Sequence, residues 1–281
     1  MKQQKSFTLI EILVVIVVIG VLSAFILVGM SSITNSANFA KGKAFFNSMD
    51  NSLLLARVSQ WKFDEAVGST TVNDSWGTNT GTLSGTAPLA QFQTTGCPSN
   101  NCLSFDGTDD YVLFNNAFGY STWSFSAWIK PTVPISGVAP VYGIYSILEG
   151  NINESAISIT GSGLTIYVTQ IVAFNFNNNP GWHNVAYSYN GTQLTGIVDG
   201  NTSGTITIAN TLSTVKQRRI GIREAGGGIS IFSGSIDDVR IYNQAIPTSE
   251  IQQNYFVGLS NLLLNNGIGV IEYTNRLAEV K

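Results

Sequence analysis

Nineteen consecutive residues, Ile12 to Met30 (ILVVIVVIGVLSAFILVGM), carry no charged side chain. As a helix rising about 1.5 Å per residue the run is roughly 28 Å long, close to the ~30 Å hydrocarbon core of a bilayer. A helix in lipid satisfies its own backbone, so the many β-branched residues are no obstacle. Glu11 stands just before the run and costs about 3 kcal/mol at depth, but the Leu, Ile, Val and Phe side chains together outweigh it at about −0.3 to −0.6 kcal/mol each. Lys2 and Lys5 precede the run, which keeps the N-terminus cytoplasmic and places everything after Met30 outside. A cleaved secretory signal has a shorter apolar stretch, about 7 to 15 residues, and no carboxylate at its start.

Beyond the run, Ile33, Ala37, Ala40 and Ala44 continue a stripe of helical period. A helix from Phe7 to about Ser59 would be roughly 80 Å long, the shape of a stalk. The 281-residue chain has 11% charged residues, a formal net charge of −3, one histidine and two cysteines. That balance argues against a basic nucleic-acid binder and against intrinsic disorder. The cysteine and histidine counts exclude a multi-bridge disulfide scaffold and nearly exclude His-rich metal or triad chemistry.

From Trp61 the texture changes to short alternating runs separated by Gly, Asn, Asp and Ser, which predicts many antiparallel strands. Trp123, Phe125, Ala127 and Ile129 share one strand face and Trp128 takes the other, so this sheet is expected to be covered on both sides. Hairpins are expected at Gly161-Ser162-Gly163, Asn190-Gly191 and Asp199-Gly200. Later strands are expected at 205–209, 219–223, 229–232 and 235–242. Pro247 opens a short helix with Gly258 as its stop, and two short helical pieces follow.

The phrase Lys5-Ser6-Phe7-Thr8-Leu9-Ile10-Glu11 resembles the processing motif of type IV pilins and type II secretion pseudopilins. The resemblance implies a prepilin peptidase that cuts between Ser6 and Phe7 and methylates the new amine of Phe7. Ser6 stands where the family usually has glycine, a small residue in either case. It also implies that Glu11 pairs with the Phe7 amine of a neighbouring subunit, in keeping with the need of an intramembrane carboxylate for a partner. A solvated interfacial glutamate is the plainer alternative.

Five further phrases resemble the LamG-like jelly roll of the concanavalin A-like lectin and glucanase superfamily. They are Trp61-Lys62-Phe63-Asp64-Glu65, the stretch from Leu103 through Asp106-Gly107-Thr108-Asp109-Asp110 to Val112, Phe125 to Pro131, Trp182 to Ala186, and Gly234 through Asp237-Asp238 to Tyr242. The fold class expected is therefore α+β: a long N-terminal transmembrane helix, an all-β antiparallel jelly-roll sandwich, and short C-terminal helices. The expected divisions are a leader at 1–6, the helix at 7–60 with its span at 7–30, the jelly roll at 61–258, and a helical tail at 259–281.

Asp106, Asp109, Asp110, Asp237 and Asp238 bring hard oxygen donors into a nearly neutral domain, a chemistry that suits Ca²⁺. Related LamG-like domains often bind calcium; the competing reading is an Asp-Gly turn with capping aspartates. Cys97 and Cys102 enclose the turn-rich Pro98-Ser99-Asn100-Asn101, outside the cytoplasm, and are expected to form a disulfide. His183 reads as a strand residue. Trp76, Tyr120, Tyr142 and Tyr145 offer aromatic faces to sugar rings if exposed, though core packing is the default for each. Lys216, Arg218, Arg219 and Arg223 read as a solvated strand end. A retaining glucanase needs two carboxyl groups about 5 to 5.5 Å apart, and Glu149, Glu154 and Glu224 do not supply such a pair by spacing.

The function expected is a non-enzymatic, pilin-like subunit whose head, displayed outside, binds carbohydrate or a surface. Its partners would be the prepilin peptidase, other pilin subunits and the membrane. The alternatives are a secretion pseudopilin that contacts exported cargo, and a membrane-anchored binding protein that never polymerises.

Overall fold

From Arg57 onward, alternation at every second residue becomes a pair of stacked antiparallel sheets in the computed structural model, which describes residues 9–10, 13–19, 53–114, 120–132, 142–148, 155–160, 163–168, 170–176, 181–208, 217–225 and 228–281. The chain divides into two units, Met1–Leu54 and Leu55–Lys281. In the first, residues 9–10 and 13–19 are helical and exposed. Ser6, Phe7, Glu11 and most of the expected span lie outside the described residues. Among the described residues no helix is long and apolar enough to cross a membrane.

The second unit is a sandwich. Its first sheet contains β1 (Arg57–Trp61), β4 (Gln91–Gln93), β5 (Cys102–Asp106), β7 (Trp123–Pro131), β12 (His183–Tyr189), β13 (Gln193–Val198), β14 (Asn201–Thr207) and β18 (Ser233–Tyr242). They run in the order β14-β13-β12-β7-β18-β5-β4, with β1 also paired to β18. The second sheet contains β2 (Thr71–Val72), β3 (Gly81–Ser84), β6 (Tyr111–Phe114), β8 (Tyr142–Leu148), β9 (Ser155–Thr160), β10 (Gly163–Val168), β11 (Gln170–Phe174) and β15 (Gln217–Ile220), in the order β11-β10-β9-β8-β15-β6-β3-β2. A separate ribbon pairs β16 (Ile222–Ala225) with β17 (Gly228–Ile231). Helices α1 (Thr248–Leu264) and α2 (Val270–Glu279) close the chain.

The period of two sorts β7 between two cores. Trp123, Phe125, Ala127 and Ile129 join Leu103, Phe105, Val112, Phe114 and Ile236 between the sheets. Trp128 faces the other way, into a second apolar cluster with Trp182, Cys97, Cys102 and the α1 residues Tyr255, Leu259 and Leu262. The two-sided covering expected of this strand is thus present, and α1 supplies the outer cover. Burying a side chain of this size contributes about 1.5–3 kcal/mol, so both faces hold the strand in register. The segment leading into α1 is fastened to the same face: Ser124 Oγ donates to the Gln244 carbonyl at 2.8 Å, and Ser188 Oγ to that of Ile246 at 2.9 Å.

Three local expectations change. Residues 57–60, expected to end the N-terminal helix, instead join Trp61 in β1, paired with Val239–Tyr242. That half of the β18 edge is left open by β5, which ends its pairing at Ile236, and an open buried edge would leave backbone groups unsatisfied. Helix α1 does not stop at Gly258 but continues to Leu264. The expected domain boundary at 258 therefore falls inside a helix, and α1 and α2 pack in one cluster with the sandwich. The hairpins expected at Asp199-Gly200 and Asn190-Gly191 both form: the first turns with φ of +48° and +76°, and the second joins β12 to β13 with Gly191 at φ +98° and Asn190 Oδ1 accepting from the Thr192 and Gln193 amides.

Candidate functional site

The five aspartates singled out in the sequence occupy two separate places. Asp237 and Asp238 sit at a bulge in β18, where the register against β7 shifts between Asp237 and Arg240 and Asp238 takes φ +45°. Here β5 and β1 meet end to end along the same edge of β18. The loop between Cys97 and Cys102, closed by the expected disulfide, plugs the junction. Asp237 is fully buried; its Oδ2 accepts from the Ser99 amide at 2.7 Å and from Ser99 Oγ at 3.1 Å. Its Oδ1 accepts from the Asp238 amide at 2.7 Å. Burial pushes the Asp237 carboxyl well above its ordinary value, and neighbouring Asp238 pushes the same way against the Ser99 bonds. Asp64 and Asn265 grip the same loop: Asp64 accepts from the Asn101 amide at 3.0 Å, and Asn265 Nδ2 donates to the Cys97 carbonyl at 3.0 Å.

Asp238 points into an ion pair. Its Oδ2 lies 2.7 Å from Arg240 Nη2, and its Oδ1 also accepts from Gln60 Nε2 at 2.6 Å. The guanidinium of Arg240 is desolvated, which works against its charge, but Asp238 and Tyr242 hold it firmly protonated. Asp237 and Asp238, expected as metal ligands, have their oxygens in hydrogen bonds with amides, a hydroxyl and a guanidinium.

Asp106, Asp109 and Asp110 lie at the turn between β5 and β6. Asp106 Oδ1 accepts from the Thr108 amide at 2.7 Å, an Asx turn. Asp109 Oδ2 accepts from the amide and the hydroxyl of Thr86 at 3.1 and 2.6 Å. Asp110 is 1% exposed, its Oδ2 accepts from the Asp106 amide at 3.3 Å, and its Oδ1 has no hydrogen-bond partner. Among the described residues no group of three or more His, Cys, Asp or Glu side chains converges.

The aromatic and basic candidates are mostly engaged. Trp76 has the guanidinium carbons of Arg57 and Arg240 at 4.9 and 5.8 Å from its ring and the edge of Tyr242 at 5.2 Å. Tyr120 packs against the main core. The side chains of Tyr142 and Tyr145, and residues Lys216, Glu149 and Glu154, lie outside what is described. Arg218 and Arg223 are buried and Arg219 lies over the Tyr111 ring at 4.9 Å, so this is no solvated strand end. The alternation that made β15 a strand also turned Arg218 inward beside Ile220.

His183, read as a plain strand residue, belongs to a network the sequence did not reveal. Its Nδ1 lies 2.7 Å from Asp199 Oδ2, while Asp199 Oδ1 accepts from the Asn184 amide at 2.9 Å and from Arg276 of α2 at 3.1 Å. Arg276 also reaches the hydroxyl of Tyr255, whose acidity burial and Asp199 lower until its pKa is about 12. Beside this network, Asn201, Thr202, Thr248, Gln252, Glu279 and Lys281 line a polar cleft of about 540 Å³. Two amide, two hydroxyl and two charged residues line it, and Gln252 Nε2 donates to the Lys281 carbonyl at 3.1 Å; such a wall offers hydrogen-bonding groups to a hydroxyl-rich ligand.

Residues 106–252 match the profile of the Concanavalin A-like lectin/glucanases superfamily, and residues 1–27 that of the prokaryotic N-terminal methylation motif. The fold matches domain 4 of AbnA, a GH43 extracellular arabinanase from Geobacillus stearothermophilus, in complex with arabinotriose: TM-score 0.55, 16% identity, 71% of this chain and 98% of that one. It also matches the binding domain of botulinum neurotoxin DC in complex with rat synaptotagmin II: TM-score 0.56, 16% identity, 72% of this chain and 52% of that one. An "Asparagine-rich protein" of Margaritifera margaritifera is 39% identical over 69 residues, which is 25% of this chain and 9% of that protein's length.

Proposed function

Because the chain belongs to the Concanavalin A-like lectin/glucanases superfamily and opens with a prokaryotic N-terminal methylation motif, we propose that it is a pilin-like subunit whose β-sandwich is a carbohydrate-binding head. The observation that carries the reading is this pairing in one chain: a motif that addresses the N-terminus to a prepilin peptidase, and a lectin-type fold behind it. The uncharged run 12–30 would anchor the protein in the membrane before assembly, with Glu11 meeting the Phe7 amine of the next subunit. The head would then stand outside the cell or on a pilus.

Binding is favoured over hydrolysis by the company the fold keeps, which includes an arabinotriose-bound domain of an arabinanase and receptor-binding domains. The polar cleft beside α1 is the place proposed for the ligand. Arabino-oligosaccharides are the first probe, since the AbnA domain is bound to arabinotriose. The test is a glycan array probed with the full chain in detergent micelles, followed by titration of any hit. Specific binding that Gln252→Ala weakens by about 2- to 10-fold, the worth of one hydrogen bond, supports the reading. No binding to any glycan overturns the lectin assignment and leaves the head a structural or protein-contacting element.

A further inference from the structure

The sequence contains the dipeptide Asn-Gly twice, at Asn190-Gly191 and Asn266-Gly267, and the fold treats the two differently. Asparagine before glycine is prone to ring closure. With no Cβ in the way, the glycine backbone nitrogen can reach the asparagine Cγ and form a succinimide.

Asn190, Gly191 and Thr192 are the exposed tip between β12 and β13. The tip is fastened on both sides of the dipeptide: the Asn190 amide donates to the Gln193 carbonyl at 3.1 Å, and the Tyr189 hydroxyl to the Gly191 carbonyl at 2.7 Å. The Asn190 side chain is held as well. Its Oδ1 accepts from the Thr192 amide at 3.0 Å, the Thr192 hydroxyl at 3.1 Å and the Gln193 amide at 2.8 Å. Its Nδ2 and the Gly191 N–H donate no hydrogen bond among the described residues.

Asn266-Gly267, just after α1, is arranged the opposite way. The Gly267 N–H donates to the Leu262 carbonyl at 2.7 Å. The glycine is also wedged in place: a Cβ there would stand 2.7 Å from Leu262 Cδ2 and 3.0 Å from the Gly96 carbonyl oxygen. Among the described residues no donor reaches Asn266 Oδ1.

The geometry points to Asn190 as a self-modifying site, where the side-chain amide is lost to water and a carboxylate takes its place. Base removes the Gly191 amide proton, and the electron pair of that nitrogen attacks Asn190 Cγ. The new C–N bond drives the carbonyl pair onto Oδ1, where three donors already in place stabilise the developing charge as an oxyanion hole does. Collapse breaks the Cγ–Nδ2 bond; Nδ2 takes a proton from water and leaves as ammonia. Water then opens the succinimide at either carbonyl to give aspartate or isoaspartate. Across the sequence one water enters, one ammonia leaves, and nothing is oxidised or reduced.

The product changes the chemistry of this surface, because residues 155–198 contain no Asp, Glu, Lys or Arg. Conversion places a carboxylate in that stretch, and the isoaspartate form adds a methylene to the backbone of the tip. In the aspartate form the donors to Oδ1 become charge-assisted partners, so the hairpin persists while the head acquires a negative mark of its age. None of this depends on what the head binds.

The test is peptide mapping by mass spectrometry of the full chain in detergent micelles, incubated in mildly alkaline buffer over weeks beside a sample unfolded in urea. In the folded chain the Asn190 peptide should gain one dalton, with isoaspartate, at least about 5-fold faster than the Asn266 peptide, whose nucleophile must first give up a hydrogen bond. In urea the two rates should converge, because the fold no longer distinguishes the pairs. Thr192→Val keeps the shape and both amide donors but removes the hydroxyl, and should slow conversion of Asn190 by about 2- to 10-fold. Three results overturn the site: an Asn190 peptide that stays intact in the folded chain while the urea sample converts, equal rates at the two pairs in the folded chain, or undiminished conversion in Thr192→Val.

Discussion

Gly258 lies against the indole ring of Trp128, so close that a Cβ on the glycine would be 2.5 Å from the ring atoms Cε2, Cζ2 and Nε1. This contact lets α1 settle onto the outer face of β7, and it explains why a glycine stands in the middle of a helix. Alanine would gain about 1 kcal/mol of helix propensity but would force either the ring or the helix to move, an overpacking cost of about 1–3 kcal/mol. Gly258→Ala is therefore expected to destabilise the head by up to about 2 kcal/mol net, seen as a Tm lowered by several degrees. A higher Tm would mean that α1 is free to shift.

The Cys97–Cys102 bridge closes a short loop, and the chain-entropy account assigns it about 2 kcal/mol. It also fills the second apolar cluster beside Trp128, Trp182 and Leu262. Replacing both cysteines by serine should cost at least that amount and should loosen the grip of Ser99 on Asp237. Denaturant unfolding of the double variant checks this; an unchanged midpoint would contradict it.

Asp237 gives the stability of the head a pH dependence with a definite sign. Its folded pKa is raised above the ordinary 3.8, so the folded chain holds a proton that the unfolded chain has released. Stability contributed by that proton is whole below about pH 4 and declines as pH rises from there through the raised folded value. Asp237→Asn should remove this decline, leaving a flatter profile of Tm against pH and a head at least as stable as the native one near neutrality. A profile parallel to that of the native chain would show that Asp237 titrates normally.

Arg276 joins α2 to the sandwich through Asp199 and the Tyr255 hydroxyl. Removing it leaves the Asp199 carboxylate with His183 and the Asn184 amide alone. Arg276→Ala should cost about 1–3 kcal/mol locally and raise hydrogen exchange across residues 270–281 while β7 and β12 stay protected. Uniform exchange throughout would mean that α2 is not held by this pair.

The sandwich was legible because strand alternation is a local property: the phrase from Trp123 to Ile129 sorts its own side chains into two cores, and the Asp199-Gly200 turn follows from residue type. What was not legible depends on neighbours far along the chain. Residues 57–60 look like the end of a helix until β18 presents an open edge to them. Gly258 reads as a helix stop until Trp128, more than a hundred residues earlier, fills the space above it. The aspartates failed as a single set for the same reason. Asp237 and Asp238 are spoken for by Ser99 and Arg240, while Asp106, Asp109 and Asp110 sit at the separate turn between β5 and β6. His183 gave no sign of its partner because Asp199 lies two strands and a turn away along the chain.

The N-terminal assignment makes two demands of the living protein. Glu11→Ala should leave processing of the leader intact yet reduce self-association in the membrane, because an unpaired Phe7 amine no longer meets a carboxylate. Crosslinking in membranes reads the second effect, and unaltered crosslinking would favour a protein that never polymerises.

The most direct test of the central claim is mass spectrometry of the N-terminal peptide of the protein isolated from its own membranes. The pilin-like account predicts a chain that begins at an N-methylated Phe7, with residues 1–6 removed. An intact Met1, or a cut within the apolar run 12–30 of the kind a secretory signal undergoes, would contradict it.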